Sequence, residues 1–129
     1  MTTNYKVGFQ EDVVLTKIGK QLWQVEEEVQ YYSVITESLI TMPSKMKTDL
    51  ASVPYALQWL LPPDGEYAWE AALHDHLYDL VLAGLMSRST ADSIFKEALS
   101  VGKVPYWQEV ALYSAVRSFG WYVIWKGVK

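Results

Sequence analysis

The sequence contains no cysteine, and this single absence removes disulfides, thiolate metal sites and a cysteine nucleophile together. It fits a cytosolic or virion setting. Long apolar runs are missing too, so no membrane span is expected, and the opening MTTNYKVGFQEDVV lacks the basic start and apolar run of a secretory signal. The expectation is a soluble chain. Basic clusters are also lacking, because the 11 Lys and Arg stand singly against 15 Asp and Glu, for a net charge of -4. Without an electrostatic footprint for a phosphate backbone, nucleic acid is not an expected partner. Internal repeats and low-complexity tracts are absent as well.

What the chain does hold is material for a core. Half of its 129 residues are apolar, with six Trp and nine Tyr, which is enough for one compact domain and too little for two. From Val13 to about Met46 the composition favours pleated, half-buried strands, placed at about residues 13–18, 22–34 and 39–42 with Gly19-Lys20 as a hairpin turn. The run Glu26, Glu27, Glu28 inside the second of these reads as a strand end or bulge with a solvated face. After Pro43, TDLASVP supplies turn chemistry, Pro54 can open a short helix to about Leu61, and Pro62-Pro63-Asp64-Gly65 stops it.

Three helices are expected in the remainder. The first runs from about Glu66 to Ala83, with Ala68, Ala72, Leu73, Leu77, Leu80 and Val81 as its apolar stripe and Gly84 as its end. The second starts at Ser89 or Thr90, carries Ala91, Ile94, Phe95, Ala98 and Leu99, and ends before Gly102. The third follows Pro105 to about Lys126 and is apolar round most of its circumference. The fold class is therefore α+β, an N-terminal antiparallel β-meander packed against three C-terminal α-helices, with any site at the seam.

The candidate chemistry lies between Thr48 and Tyr78. His74 and Tyr78 share a helix face, while Asp75 is rotated by about 100°. His74 is the natural general base or neutral metal ligand, and Asp75 can orient it or bind a divalent cation together with Asp49. The structural alternative is that His74 and Asp75 bridge to the loop before the helix. Asp49 must be solvated, paired or metal-bound, and Arg117, a lone cation within an apolar helix surface, is expected to pair with Asp49 or Asp75. His76 cannot share an ion with His74, since the two point about 200° apart on a helix, and is assigned to solvent. Arg88 and Asp92 are spaced for an ordinary helix-terminal ion pair. Ser52 has no G-x-S-x-G elbow around it, which disfavours a serine nucleophile.

The order and spacing of TDLASVP, LHDHLY, RSTADSIF and AVRSFGW resemble a family of small phage and prophage proteins known as domain of unknown function 1353. The resemblance covers about residues 48–125, with Asp49, Ser52, Pro54, His74, Asp75, Tyr78, Asp92 and Arg117 as its motif positions. It implies a phage or prophage origin and a place in the host cytoplasm or the virion, and it brings no agreed activity. A shorter resemblance joins His74, Asp75 and Tyr78 to the H-D-x-x-Y helix of secreted phospholipases A2, in which the histidine activates water and the aspartate holds calcium. That family's cysteines and glycine-rich calcium loop are missing here.

Two functional expectations follow. One is an accessory protein with a hydrolase-like pocket, in which His74, Asp75 and Asp49 are catalytic or hold a divalent cation and Tyr78, Ser52 and Arg117 bind. The other is a non-enzymatic virion, tail-assembly or host-factor-binding protein in which the same residues lock the loop to the helices. A phage or host protein is the expected partner in the second case. An open pocket where His74, Asp49 and Asp75 converge favours the first; a closed Arg117–carboxylate network favours the second.

Overall fold

The computed structural model describes residues 5–19, 22–48 and 68–127, with side chains up to residue 118. Among these, six short strands precede three helices: β1 Gly8–Phe9, β2 Leu15–Gly19, β3 Leu22–Val25, β4 Val29–Ser33, β5 Ser38–Met42, β6 Lys47–Thr48, α1 Ala68–Leu82, α2 Arg88–Val101 and α3 Tyr106–Gly127. All strand pairs are antiparallel. They form two three-stranded sheets, ordered β1-β4-β5 and β2-β3-β6. The α+β class is as expected, but the strands do not run as one continuous meander.

The acidic run divides them. A single strand over residues 22–34 would place adjacent carboxylates on a surface that packs against a core, so β3 ends at Val25 and β4 begins at Val29 in the other sheet. Glu27 and Glu28 are exposed. Glu26 accepts from Gln24 Nε2 at 3.0 Å and pairs with Lys45 Nζ at 3.3 Å. Gly19 stands opposite Leu22 in the β2–β3 pair, and the connecting residues 20–21 lie outside the described residues. The short helix expected at 55–61 and its Pro62–Gly65 stop lie outside them too.

One hydrophobic core joins the β1-β4-β5 sheet to the helices. Val29 and Tyr31 from β4 and Ile40 and Met42 from β5 meet Ala72, Leu73 and Leu77 from α1 and Leu112 and Val116 from α3. Between them α2 contributes Ala91, Ile94, Phe95, Ala98 and Leu99, the three- and four-residue spacing of one helical face. Fully burying a large side chain such as Phe95 or Leu73 contributes about 1.5–3 kcal/mol. A polar tie crosses the same seam: Tyr31 Oη donates to Glu97 Oε1 at 2.9 Å, and the Val34 N–H donates to Glu97 Oε2 at 3.3 Å. Among the described residues no helix is long and apolar enough to cross a membrane.

The helix ends follow local chemistry. Ser87 caps α2 by accepting from the Thr90 N–H at 3.0 Å. α1 closes with Leu85 N–H to the Leu80 carbonyl and Gly84 N–H to the Val81 carbonyl, a left-handed closure that puts Gly84 at φ 79°. α2 closes in the same way, with Val104 N–H to Leu99 and Lys103 N–H to Ser100, but here Lys103 takes the left-handed position at φ 60°. A side chain at such a φ costs about 1–2 kcal/mol that glycine avoids. Lys103→Gly is therefore expected to raise stability by about 1 kcal/mol and Gly84→Ala to lower it by a similar amount, read as opposite shifts of the urea midpoint at constant slope.

Candidate functional site

The polar centre of the molecule forms where the three helices meet, since α1 packs on α2 and α2 on α3. His74 and Tyr78 stand one turn apart on α1. Their ring centroids are 4.1 Å apart, and the imidazole also lies 4.6 Å from the Phe95 ring of α2. Between these rings and α3 sits Asp92 of α2, wholly buried. Its Oδ1 is 2.8 Å from His74 Nε2 and accepts from Tyr78 Oη at 2.7 Å. Its Oδ2 accepts from Arg117 Nη1 at 2.8 Å. Arg88 Nη1 stands 3.9 Å from the same oxygen and donates to the Val116 and Arg117 carbonyls, each at 3.3 Å.

The protonation states follow from these contacts. Burial pushes the Asp92 carboxyl up, but hydrogen bonds from His74, Tyr78 and Arg117 outweigh it and hold the group below the usual carboxylate range. Asp92 is therefore a carboxylate that only accepts, which requires the proton of a neutral His74 to sit on Nε2. Burial lowers the His74 pKa, opposed by the bond and charge of Asp92, so the imidazole is neutral at neutral pH. Burial, with Asp92 adding to it, raises the Tyr78 phenol and keeps it a donor.

The structure redirects one expected ion pair and sets the other in a different environment. Arg117 pairs with Asp92 rather than with Asp75, because Asp92 is the carboxylate that α2 presents to α3. The expected pair of Arg88 with Asp92 forms at 3.9 Å, but Asp92 is buried rather than at the surface, and Arg88 also spans to the backbone of α3. His76 is half-buried rather than in solvent, and burial lowers its pKa against the opposing charge of Asp79.

Asp75 is half-buried and accepts a hydrogen bond from Thr48 Oγ1, which ties the end of β6 to α1. Asp49, Ser52 and Pro54 lie outside the described residues, and with them the expected meeting of Asp49 with His74 and Asp75 and the metal set built on it. Among the described residues no group of three His, Cys, Asp or Glu side chains could hold a metal ion.

The sequence marks Asp92 only as a partner of Arg88 and a motif position, and does not mark Glu70, although a signal for burial of both is present. Asp92 lies three and seven residues before Phe95 and Leu99, so it falls on the buried stripe of α2. Glu70 bears the same relation to Leu73 and Leu77 on α1 and is likewise buried. A charged residue on an apolar stripe must find partners in other elements, and periodicity does not name them.

Removing the central carboxylate by Asp92→Ala is expected to cost about 3 kcal/mol in chemical denaturation, at the low end for a broken buried pair because Arg117 can turn to water. The depressed His74 and Asp92 groups act in one direction. Unfolded chains take up the histidine proton below about pH 6.5 and the aspartate proton below about pH 4 while the folded chain resists both, so stability is full above this window and falls on acidification. His74→Gln retains a donor towards Asp92 but does not titrate. It should flatten the fall that begins near pH 6.5, as followed by thermal melts against pH.

No curated protein and no solved structure matches the chain. A family model described as "Protein of unknown function (DUF1353)" matches residues 23–116. The match begins in β3, earlier than the motif resemblance, and takes in β4, β5, β6 and the α1–α2 pair with His74, Tyr78, Arg88 and Asp92, leaving β1 and β2 before it and ending within α3 one residue before Arg117. With most of its length inside that match, the chain belongs to the DUF1353 family.

Proposed function

We propose that the chain is a phage or prophage accessory protein that works by binding a phage or host protein, and that the Asp92 cluster is a rigid clamp with no catalytic task. The observation that carries this reading is closure. Both Asp92 oxygens are bonded, from α1 and from α3, and the His74 side chain is only 4% exposed. A reacting group would have to displace bonds that hold the helices together. Contact chemistry lies elsewhere: Tyr106 is 76% and Trp107 51% exposed at the start of α3, the residue types that anchor protein interfaces. The phage or prophage origin, with a virion, tail-assembly or host-factor role, rests on the motif resemblance.

A second reading, a hydrolase-like site, is favoured by the His74–Asp92 bond. A carboxylate held on one imidazole nitrogen leaves the other basic, as a general base requires. In that reading Asp75 and Asp49 orient water or hold a divalent cation.

The two separate on Asp75→Asn and on metal. For the clamp, chelator leaves the melting temperature unchanged and Asp75→Asn lowers stability by about 1–2 kcal/mol, as Thr48 loses a charged acceptor. Replacing Tyr106 and Trp107 by serine should leave the melt unchanged and abolish retention of phage or host proteins in pull-downs from infected cells. A fall in melting temperature on chelation, or an Asp75→Asn protein of parental stability that has lost hydrolytic activity, would sink the clamp.

A further inference from the structure

Away from the Asp92 cluster, a second acid is buried without, among the described residues, the partners that burial demands. Glu70 sits in the first turn of α1, 4% exposed, and its Oε1 has no hydrogen-bond partner among the described residues. Burial pushes its carboxyl up to about 7, opposed by its own backbone N–H. A carboxylate in this state is costly to keep unless something pairs with it.

The group lines a cavity of about 510 Å³, within the range of small-molecule sites. Phe9, Tyr31 and Trp69 form aromatic walls and the end of α2, Val101 and Gly102, lies among the others. Phe9 stands edge-on to both Tyr31 and Trp69, with ring centroids at 5.1 and 5.8 Å. Gly102 packs closely on the acid: a Cβ there would stand 3.0 Å from Glu70 Oε2, 3.1 Å from the Ala98 carbonyl oxygen and 3.3 Å from Glu70 Cδ, so the carboxylate would have to shift by a few tenths of an ångström.

Three features set the charge of an occupant. Tyr31 bonds to Glu97 and feels the charge of Glu70, and neither acid forms an ion pair among the described residues. The last turn of α2 itself carries no basic residue, and its carbonyl end, closed by the N–H groups of Gly102, Lys103 and Val104, adds partial negative charge on the side where Val101 and Gly102 line the cavity. Aromatic faces add a further attraction for cations.

We propose that this cavity binds a small organic cation, a primary ammonium on an apolar or aromatic body, with Glu70 as its counter-ion. The site is independent of the Asp92 cluster and of the protein-binding reading above. A cation here supplies the partner that Oε1 lacks, while the aromatic walls cover the body of the ligand.

Benzylammonium is a direct probe, with benzyl alcohol and benzoate as neutral and anionic isosteres, titrated calorimetrically into the full chain at about pH 8, where the carboxyl is ionised. Saturable binding of benzylammonium is expected, with both isosteres at least about tenfold weaker. Glu70→Gln should lose about tenfold or more in affinity while melting at or above the parental temperature, since it removes a buried acid. Gly102→Ala, which presses on the carboxylate, should weaken binding independently and serves if Glu70→Gln does not fold. At about pH 6 binding should release a proton, seen as a dependence of the heat on buffer ionisation enthalpy. No saturable binding of benzylammonium up to about 10 mM, equal binding of benzyl alcohol, or undiminished binding when Glu70 or Gly102 is replaced would overturn the proposal.

Discussion

A carboxylate that has lost all contact with water must be met by donors from its surroundings, and Asp92 makes that demand at the junction of three helices. His74 and Tyr78 answer from α1 and Arg117 from α3. Apolar surfaces tolerate small slides past one another, because one methyl contact replaces another at little cost. A carboxylate with fixed donors does not, since a shift of one residue on either neighbour leaves a charge unpaired. The core contributes most of the favourable free energy, and the Asp92 network selects which arrangement of the helices receives it.

Two buried acids in one small domain show how far surroundings decide the behaviour of the same group. Asp92 has donors on both oxygens and is held as an anion; Glu70 has an oxygen with none among the described residues and is driven towards its neutral form. Burial raises both. The difference lies in hydrogen bonding, and that in turn reflects position. Asp92 faces two other helices rich in donors, whereas Glu70 faces aromatic rings and the carbonyl end of α2.

The fold was legible wherever its cause is local. Apolar spacing located the three helices, Gly84 marked the end of α1, and β-favouring composition located the strand half. The division into two sheets was only half legible: Glu26 to Glu28 announced an interruption, but which strand pairs with which is decided across the chain, as in β3 with β6 and β4 with β1. The site behaved in the same way. The shared face of His74 and Tyr78 is a property of one helix and was readable, whereas the choice of Asp92 as the partner of Arg117 spans 25 residues and depends on how α2 and α3 pack. Glu70 and Asp92 carried a readable sign, a charge on an apolar stripe, whose meaning only the neighbouring elements supply.

Glu97 acts on the strand half as an indexing pin. Its two oxygens hold the Tyr31 hydroxyl and the Val34 N–H, one near the middle of β4 and one just past its end, so α2 grips the strand at two separate points. Side chains along a strand alternate between faces, so moving β4 by one residue would turn Tyr31 away from α2 and take the first of these contacts with it. The pin contributes little energy compared with the apolar contacts around it. What it sets is alignment, by making the neighbouring registers of strand over helix distinguishable where greasy surfaces alone would leave them nearly degenerate.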